Sequence, residues 1–460
     1  MHFANDSDTD KNWPEAEALM LLRAPLLRLP QIAKDFEHAF HHVAQHSSAE
    51  FLSTPVTALP SGRECGKFLA MDLGGSNLRV AVVELDGATE TKVHVVVQGN
   101  WEVPARLKRG AAEELFAWVA ERIADILSDC VSLLNAADRE ILFERGVELG
   151  VCFSFPMEQS SHTSALLMPM GKGFTFRTTN NLTALLEAGY SQLPSLPPLR
   201  IVSITNDSVA TLLSAAYFHP TLAAAGIIAG TGTNSACLCP PCKLSASKQP
   251  SSPSHKSILI NTEWSINGTL PPLAKFRTPW DLALDVANEK PGFQPLEEML
   301  GGRYLGEIVR LVLCTLFSDL CEVPEWLTTP YALSTKLCSE IEGATSDEAA
   351  RELLAPDLDF WLLPRARTFR AVAEAVSTRA AGLLAAATVG VLAVNDELRR
   401  ERIVVGCTGT VLERYYGFRE RCQRFLDTLV GEGKVRLVEV RDGGIVGAAV
   451  LAAMVKNGIT

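Results

Sequence analysis

No run of apolar residues in this sequence reaches the length needed to cross a bilayer; the Ala-rich stretch 380–394 reads as a buried helix. The polar, acidic N-terminus lacks the basic and apolar blocks of a secretory signal, so the cytoplasm is the expected location and no membrane partner is expected. Basic residues are in deficit, 42 Lys and Arg against 53 Asp and Glu, for a formal net charge of -11. A surface of that sign repels a phosphate backbone, which argues against nucleic acid as a partner. It does not exclude a nucleotide, because backbone N–H groups can grip a small anion whatever the global charge. A cysteine framework is also missing. Eleven cysteines, an odd count, are scattered along the chain, which fits a reducing compartment. Cys237, Cys239 and Cys242 have no second Cys/His pair at zinc spacing, so a strand end with small, semi-buried thiols is expected there.

What is present describes an ordinary globular chain of 460 residues, 47% hydrophobic and 21% charged. That length exceeds what one core usually organises, so two lobes are expected. Apolar positions at helical spacing from Leu19 to Phe40 predict one or two amphipathic helices broken at Pro30. Strands are expected at 67–71, 93–98, 149–155, 199–205, 403–406 and 435–440, and helices at 111–134, 296–317, 347–354 and 366–394. The Ser-, Pro- and Lys-rich piece 243–257 reads as an exposed, mobile loop between two strands. FLAMDLGGSNLRVAVVEL and GIIAGTGTNSACL share one plan: apolar strand, Gly-rich turn, Asn, second strand. Such an echo suggests two similar α/β halves facing one another across a cleft.

Gly74 and Gly75 let the first turn, Asp72 to Arg79, bend close enough to a phosphate for its N–H groups to cradle it. A strand follows, not a helix, which excludes a P-loop and a dinucleotide fingerprint. A plain hairpin turn explains the glycines equally well; Asp72 adds a carboxylate suited to hydrated Mg2+. Gly230-Thr231-Gly232-Thr233-Asn234 repeats the pattern with hydroxyls. Between the two turns, a buried strand runs into a helix at Asn206-Asp207. Both types are favoured helix caps. A carboxylate at that strand end also suits a base that accepts a hydroxyl proton in phosphoryl transfer.

From Ala58 to Val80 the chain resembles the approach and first phosphate turn of the eukaryotic hexokinases. Ser154-Phe155-Pro156 with Gly171-Lys172-Gly173-Phe174 resembles that family's sugar-binding segment, Asn206-Asp207 its catalytic pair, and 230–234 its second phosphate turn. Asn261-Thr-Glu263-Trp264 and 291–297 resemble the segments that carry its two sugar-binding glutamates, Glu263 and Glu297. The likeness continues through 302–307 and ends at Gly447-Ala-Ala. It implies an α/β, two-lobed hexokinase/actin-like ATPase fold with a duplicated core and a central cleft. The implied division is an N-terminal helical segment, 1–62, packing on the large lobe; a small lobe, 63–205 plus 444–460; and a large lobe, 206–443.

The same resemblance implies ATP-dependent phosphorylation of a hexose at its 6-hydroxyl, by a monomer or weak homodimer. Asp207 and Lys172 would be catalytic. Ser154, Phe155, Pro156, Lys172, Asn206, Asp207, Asn234, Glu263 and Glu297 would hold the sugar. Asp72, Gly74, Gly75, Ser76, Asn77, Arg79, Gly230, Thr231, Gly232, Thr233, Gly409, Thr410, Gly443 and Gly444 would hold ATP. Asp72 and Asp207 would meet Mg2+ through water.

Four departures stand out. Gly171 replaces a usual Thr before the lysine, Ser76 replaces Thr, and Thr408 stands where the nucleotide turn usually has Asp. The run 442–447 lacks the Ser and Lys of the usual Gly-Ser-Gly-Lys-Gly, though a helix start there still offers N–H groups to phosphate. Gly171, Phe293-Gln294-Pro295 and the apolar pair Ile445-Val446 resemble the fungal N-acetylglucosamine kinase branch. An N-acetylhexosamine is therefore expected beside glucose as a substrate. A broad hexokinase, a catalytically silent sugar sensor or transcriptional regulator, and an actin- or chaperone-like ATPase are the competing readings. The sugar-directed residues between Ser154 and Glu297 disfavour the last.

Overall fold

A computed structural model describes residues 14–87, 92–168, 174, 181–250, 255–320 and 322–459. The strands among these residues are β1 (Leu52–Ser53), β2 (Cys65–Leu73), β3 (Asn77–Asp86), β4 (Val93–Glu102), β5 (Val147–Phe153), β6 (Met157–Ser161), β7 (Ser164–Leu167), β8 (Leu199–Thr205), β9 (Ala223–Ala229), β10 (Thr233–Cys239), β11 (Ile258–Asn261), β12 (Ile403–Thr408) and β13 (Val435–Glu439). They form a five-stranded sheet in the order β4-β3-β2-β5-β8 and a six-stranded sheet in the order β1-β11-β10-β9-β12-β13, with β6 and β7 as a separate hairpin.

Apart from β1, the second sheet repeats the first. In each, three strands run antiparallel (β2, β3, β4 and β9, β10, β11) and two more add in parallel (β5, β8 and β12, β13). The internal echo in the sequence marks the leading hairpin of each copy. Central β2 is a continuous buried run from Phe68 to Met71, whereas edge strand β4 alternates between half-buried and exposed positions. That contrast is what a strand covered on both faces and an edge strand each require.

The helix that follows each parallel pair packs on the other sheet. Asp207–Phe218, which leaves β8, lies against β9, β10 and β12; Gly443–Lys456, which leaves β13, lies against β2, β3, β5 and β8. The two helices also pack against each other. Both sheets therefore deliver their functional ends to one junction.

The largest core surrounds Leu363–Val394, a helix buried on nearly every side. By length and composition this helix could cross a membrane, contrary to the expectation from the sequence, but 94% of its apolar window is buried inside the protein. Such all-round hydrophobicity is typical of a helix at a protein's centre. Leu29–His46 packs on it, with Leu29 beside Gly382 and Phe36 beside Gly390, and its buried Leu29, Ile32, Phe36, Phe40 and Val43 are spaced three and four apart.

Several boundaries differ from expectation. The N-terminal break falls at Ala24–Arg28, a tight turn around Pro25; Pro30 lies in the first turn of the next helix, where its missing N–H costs nothing. The helix expected over 296–317 is two, Pro295–Leu300 and Gly302–Leu316, parted at Gly301. The segment 1–62 is not wholly helical, since β1 joins the six-stranded sheet through β11. Finally, 243–257 is partly docked: Lys248 is buried, and its Nζ donates to the carbonyls of Val43 (3.1 Å), Ala44 (3.4 Å) and Glu50 (2.7 Å). Cys237 and Cys239 are fully buried in β10, and Cys242 beyond it is exposed.

Candidate active site

The junction of β8 with Asp207–Phe218 shows which of the two polar residues caps the helix. Asn206 is the cap: its Oδ1 accepts from the Ser208 N–H at 2.9 Å and the Ser208 hydroxyl at 2.7 Å. Asp207 is the first helical residue, and its Oδ1 shares the Ser208 N–H at 2.9 Å. Asn206 is buried, while Asp207 keeps partial access to solvent. A carboxylate at a helix start is complemented by the positive end of the helix dipole.

Asp72, near the end of β2, faces the same space. Burial is the main cause that lifts its pKa to about 6; the Asp207 carboxylate adds to the rise, and Arg79, Cys152 and Ser154 oppose it. The Ser154 hydroxyl, one residue beyond β5, donates to Asp72 Oδ1 at 3.5 Å. A hydrated divalent cation would relieve the charging cost that burial and the nearby Asp207 carboxylate place on Asp72.

Across from them, β10 and the end of β11 supply a connected polar wall. Asn234 Nδ2 donates to Asn261 Oδ1 (2.9 Å), to Glu263 Oε1 (3.4 Å) and to Asn206 Oδ1 (3.5 Å). Asn261 Nδ2 donates to Glu263 Oε1 at 2.8 Å. Glu263 is not a strand residue but lies just past β11 with φ at +46°, a left-handed conformation uncommon for a side chain of this size. Its neighbours hold it there. Phe51 N–H donates to the Thr262 carbonyl at 3.0 Å, and Thr262 N–H to the Ser235 carbonyl at 2.9 Å. Strain sustained by surrounding bonds is common at sites that bind or react.

Glu297 joins this wall from the first turn of Pro295–Leu300. Its Oε2 accepts the Thr233 N–H at 3.1 Å, and Thr233 Oγ1 accepts the indole N–H of Trp264 at 3.1 Å. A Cβ at Gly232 would lie 2.2 Å from Glu297 Oε2, so only glycine lets this carboxylate reach the turn.

The Gly-rich turns gather at the same junction. Gly74 N–H closes the first on the Asn77 carbonyl at 2.9 Å; Gly75 stays partly open, and Ser76 and Asn77 are exposed. Arg79, two residues into β3, pairs with Asp442 at 3.2 Å. In the second turn, Gly230 N–H donates to the Gly232 carbonyl at 2.9 Å, and Thr231 is exposed. Gly409 and Thr410 lie beside Gly230. Glu413 takes up donors of this third turn, accepting from Thr408 Oγ1 at 2.7 Å and from Gly409 N–H at 2.8 Å. Gly443 and Gly444 open the last helix, and Gly444 faces Asp72.

Lys172, with Gly171 and Gly173, lies outside the described residues. Phe174 is described and meets Phe155 edge-on at 5.0 Å; Phe155 is buried, and Pro156 is partly so. The sequence reading gave no role to Asn261, Trp264 or Glu413. The first two flank Glu263 at a strand end, a usable signal; Glu413 is recognisable only once its helix folds back on the turn.

A duplicated α/β core with paired carboxylates at one junction, glycine turns around it and an amide–carboxylate wall opposite defines a two-lobed sugar kinase. Two family models described as hexokinase match residues 17–217 and 224–454. Hexokinase-1 of Spinacia oleracea is 32% identical over 455 residues, covering 93% of this chain and 88% of that protein. The hexokinase-like 1 protein of Arabidopsis thaliana is 34% identical over 424 residues, covering 88% of this chain and 83% of that one. Among solved structures, hexokinase from Schistosoma mansoni complexed with glucose superposes with a TM-score of 0.80 at 28% identity, covering 96% of this chain and all of that one. The chain belongs to the hexokinase family, and it is a phosphotransferase acting on a sugar alcohol group.

Proposed function

We propose that this enzyme transfers the terminal phosphate of ATP to the 6-hydroxyl of a hexose, with Asp207 as the base, and that N-acetylglucosamine is among the hexoses it accepts. The observation that carries the reading is the division of labour at the β8 junction: Asn206 caps the helix and accepts from Asn234 of the polar wall, while Asp207 stays partly open and acts electrostatically on Asp72.

Asn234, Glu263, Glu297 and Ser154 would orient the sugar through its hydroxyls. Each buried hydroxyl left without a partner would cost about 1–3 kcal/mol, which makes the wall selective for a polyol of the right shape. Asp207 would take the proton as the 6-oxygen attacks, and a positioned base typically contributes about 10^2–10^4-fold. The turns at 74–77, 230–233 and 409–410 and the helix start at 443–444 would supply N–H groups to the phosphates. Mg2+ held through water by Asp72 and Asp207 would supply charge neutralisation when bound. Lobes comprising 63–205 with 444–460, and 206–443, would close on the sugar and exclude water. Lys172 would add a positive charge at the sugar. The N-acetyl half of the proposal is supported by the sequence pattern alone: Gly171 removes a side chain beside Lys172.

A coupled assay of ADP release with glucose, fructose, mannose and N-acetylglucosamine tests the reading, run on the natural protein and on Asp207→Asn. Turnover is expected with the natural protein and should fall by at least about 100-fold in the variant. Near-normal turnover in Asp207→Asn would remove the base from its role. Good phosphorylation of glucose with none of N-acetylglucosamine would sink the substrate half. Silence with all four sugars, in a protein that still binds glucose, would favour a sugar sensor instead.

A further inference from the structure

Beneath the loop that delivers Glu297 lies a buried charge cluster that the proposed mechanism does not use. Glu298, the next residue, is 3% exposed and points away from the polar wall. Its Oε1 accepts from Asn288 Nδ2 at 2.8 Å, and its Oε2 lies 3.7 Å from the guanidinium of Arg277. That guanidinium is 2.7 Å from Asp285, whose other oxygen accepts the Gly292 N–H. The loop 288–294 is thus tied down at Asn288 by Glu298 and at Gly292 by Asp285. Asn288 Oδ1 in turn accepts from the Tyr331 hydroxyl at 2.8 Å.

The charges do not balance. Asp281, also near Glu298, is matched by its own bidentate partner, Arg379, at 2.7 and 2.8 Å. Among the described residues, that leaves Arg277 as the one cation paired with the two carboxylates Asp285 and Glu298. The remaining groups facing Glu298 are Tyr304, on Gly302–Leu316, and Tyr331, with Arg303 beside both rings. Neither phenol supplies a positive charge. Buried carboxylates sharing a single cation cannot both ionise cheaply, so one retains a proton.

We propose that Glu298 is a positioning residue for Glu297: in its protonated form it holds the 288–297 loop in register, and its ionisation loosens the sugar-binding carboxylate. The proposal rests on Glu297 as a sugar ligand. Burial is the largest cause that lifts the Glu298 pKa to about 7, with Asp285 and Asp281 adding to the rise and Asn288 and Arg277 opposing it. The change therefore falls within the range where such an enzyme works. Above that value one negative charge in excess of the Arg277 cation appears beside Asp285, and its repulsion of Asp285, which holds Gly292, acts against an Asn288 bond that ionisation strengthens.

The test measures KM for the sugar and for ATP between about pH 6 and about pH 8.5, with melting temperature alongside, in the natural protein and in Glu298→Gln. In the natural protein, sugar KM should rise roughly fivefold over this range, about 1 kcal/mol, while the change in ATP KM stays below about twofold. In Glu298→Gln, sugar KM should stay flat near the acidic value, and the variant should lose part of the natural protein's fall in melting temperature with rising pH. A Glu298→Gln enzyme that keeps the natural pH profile of sugar KM overturns the proposal, as does an equal rise in ATP KM. A separate Glu297→Gln arm distinguishes the two readings. If that change leaves sugar KM untouched, the sugar-ligand role of Glu297 fails, whereas melting temperature still reports whether Glu298 titrates.

Discussion

Asp72 and Gly444 stand 372 residues apart in sequence and meet at the active-site junction: a Cβ on Gly444 would lie 2.3 Å from Oδ2 of Asp72 and 2.6 Å from its Cγ. The start of the last helix and the end of β2 therefore share one space, which only glycine leaves to the carboxylate. Gly444→Ala should push Asp72 aside without unfolding anything, since a helix itself gains about 1 kcal/mol from Gly to Ala. The expected result is a kcat lowered about 10- to 100-fold with an unchanged or slightly raised Tm. A variant that unfolds, or one with normal kcat, would show that Asp72 does not depend on this approach.

The polar wall gives a second, sharper test at a residue to which sequence reasoning assigned no role. Asn261 accepts from Asn234 and donates to Glu263, so it holds both in register. Asn261→Leu should remove the shortest bond of Asn234 Nδ2 and a 2.8 Å bond to Glu263, loosening both, at about 1 kcal/mol each. Sugar KM should rise about tenfold or more, with ATP KM changed less than about twofold. Equal changes in both constants would mean that the wall supports the fold generally and not the sugar side.

Glu413 predicts an effect on the other substrate. Its carboxylate sits at the turn beside Gly230, accepting from Thr408 and Gly409, and it is solvent-exposed. Glu413→Gln keeps the acceptor and removes the charge that repels phosphate. ATP KM should fall about twofold at low ionic strength, and the gain should vanish in high salt. A gain that persists in high salt would point to altered hydrogen bonding instead of charge.

Much of this site is legible in the sequence because it is local. A buried strand, a Gly-rich turn and a polar residue at a strand end each leave a mark within a few positions, as 69–79, 203–207 and 227–234 do. The duplicated sheet order follows from two such hairpins. What sequence does not show is set by partners distant in the chain. Lys248 lies in a segment whose composition signals an exposed loop, yet it is buried against the carbonyls ending Leu29–His46, where a cation complements the helix dipole. Likewise Glu298 reads as one more acidic residue in a first helical turn until Arg277 and Asp285 are seen beneath it.

The same cluster contains a test of stability. Arg379 is fully buried and Asp281 nearly so, and Asp281 also closes the capping box with Thr278. Although burial, the largest influence, opposes it, pairing with Arg379 and the bonds from Thr278 hold the Asp281 carboxyl below its usual range. A depressed folded pKa adds stability above the unfolded value, and that stability is lost as pH falls through the folded one. Arg379→Met should cost about 3–5 kcal/mol near neutrality, because it leaves a buried carboxylate uncompensated. The sign of the pH dependence should then reverse. Without its cation, Asp281 is raised by burial, so acidification protonates the orphan and recovers stability that the natural protein would lose. Adding Asp281→Asn, which keeps an acceptor for the cap, should restore most of the loss at neutral pH. Urea unfolding of the natural protein, the single variant and the double variant at about pH 7 and about pH 5 measures all three effects. A single variant within about 1 kcal/mol of the natural protein at neutral pH would show that the pair contributes no more than an exposed salt bridge.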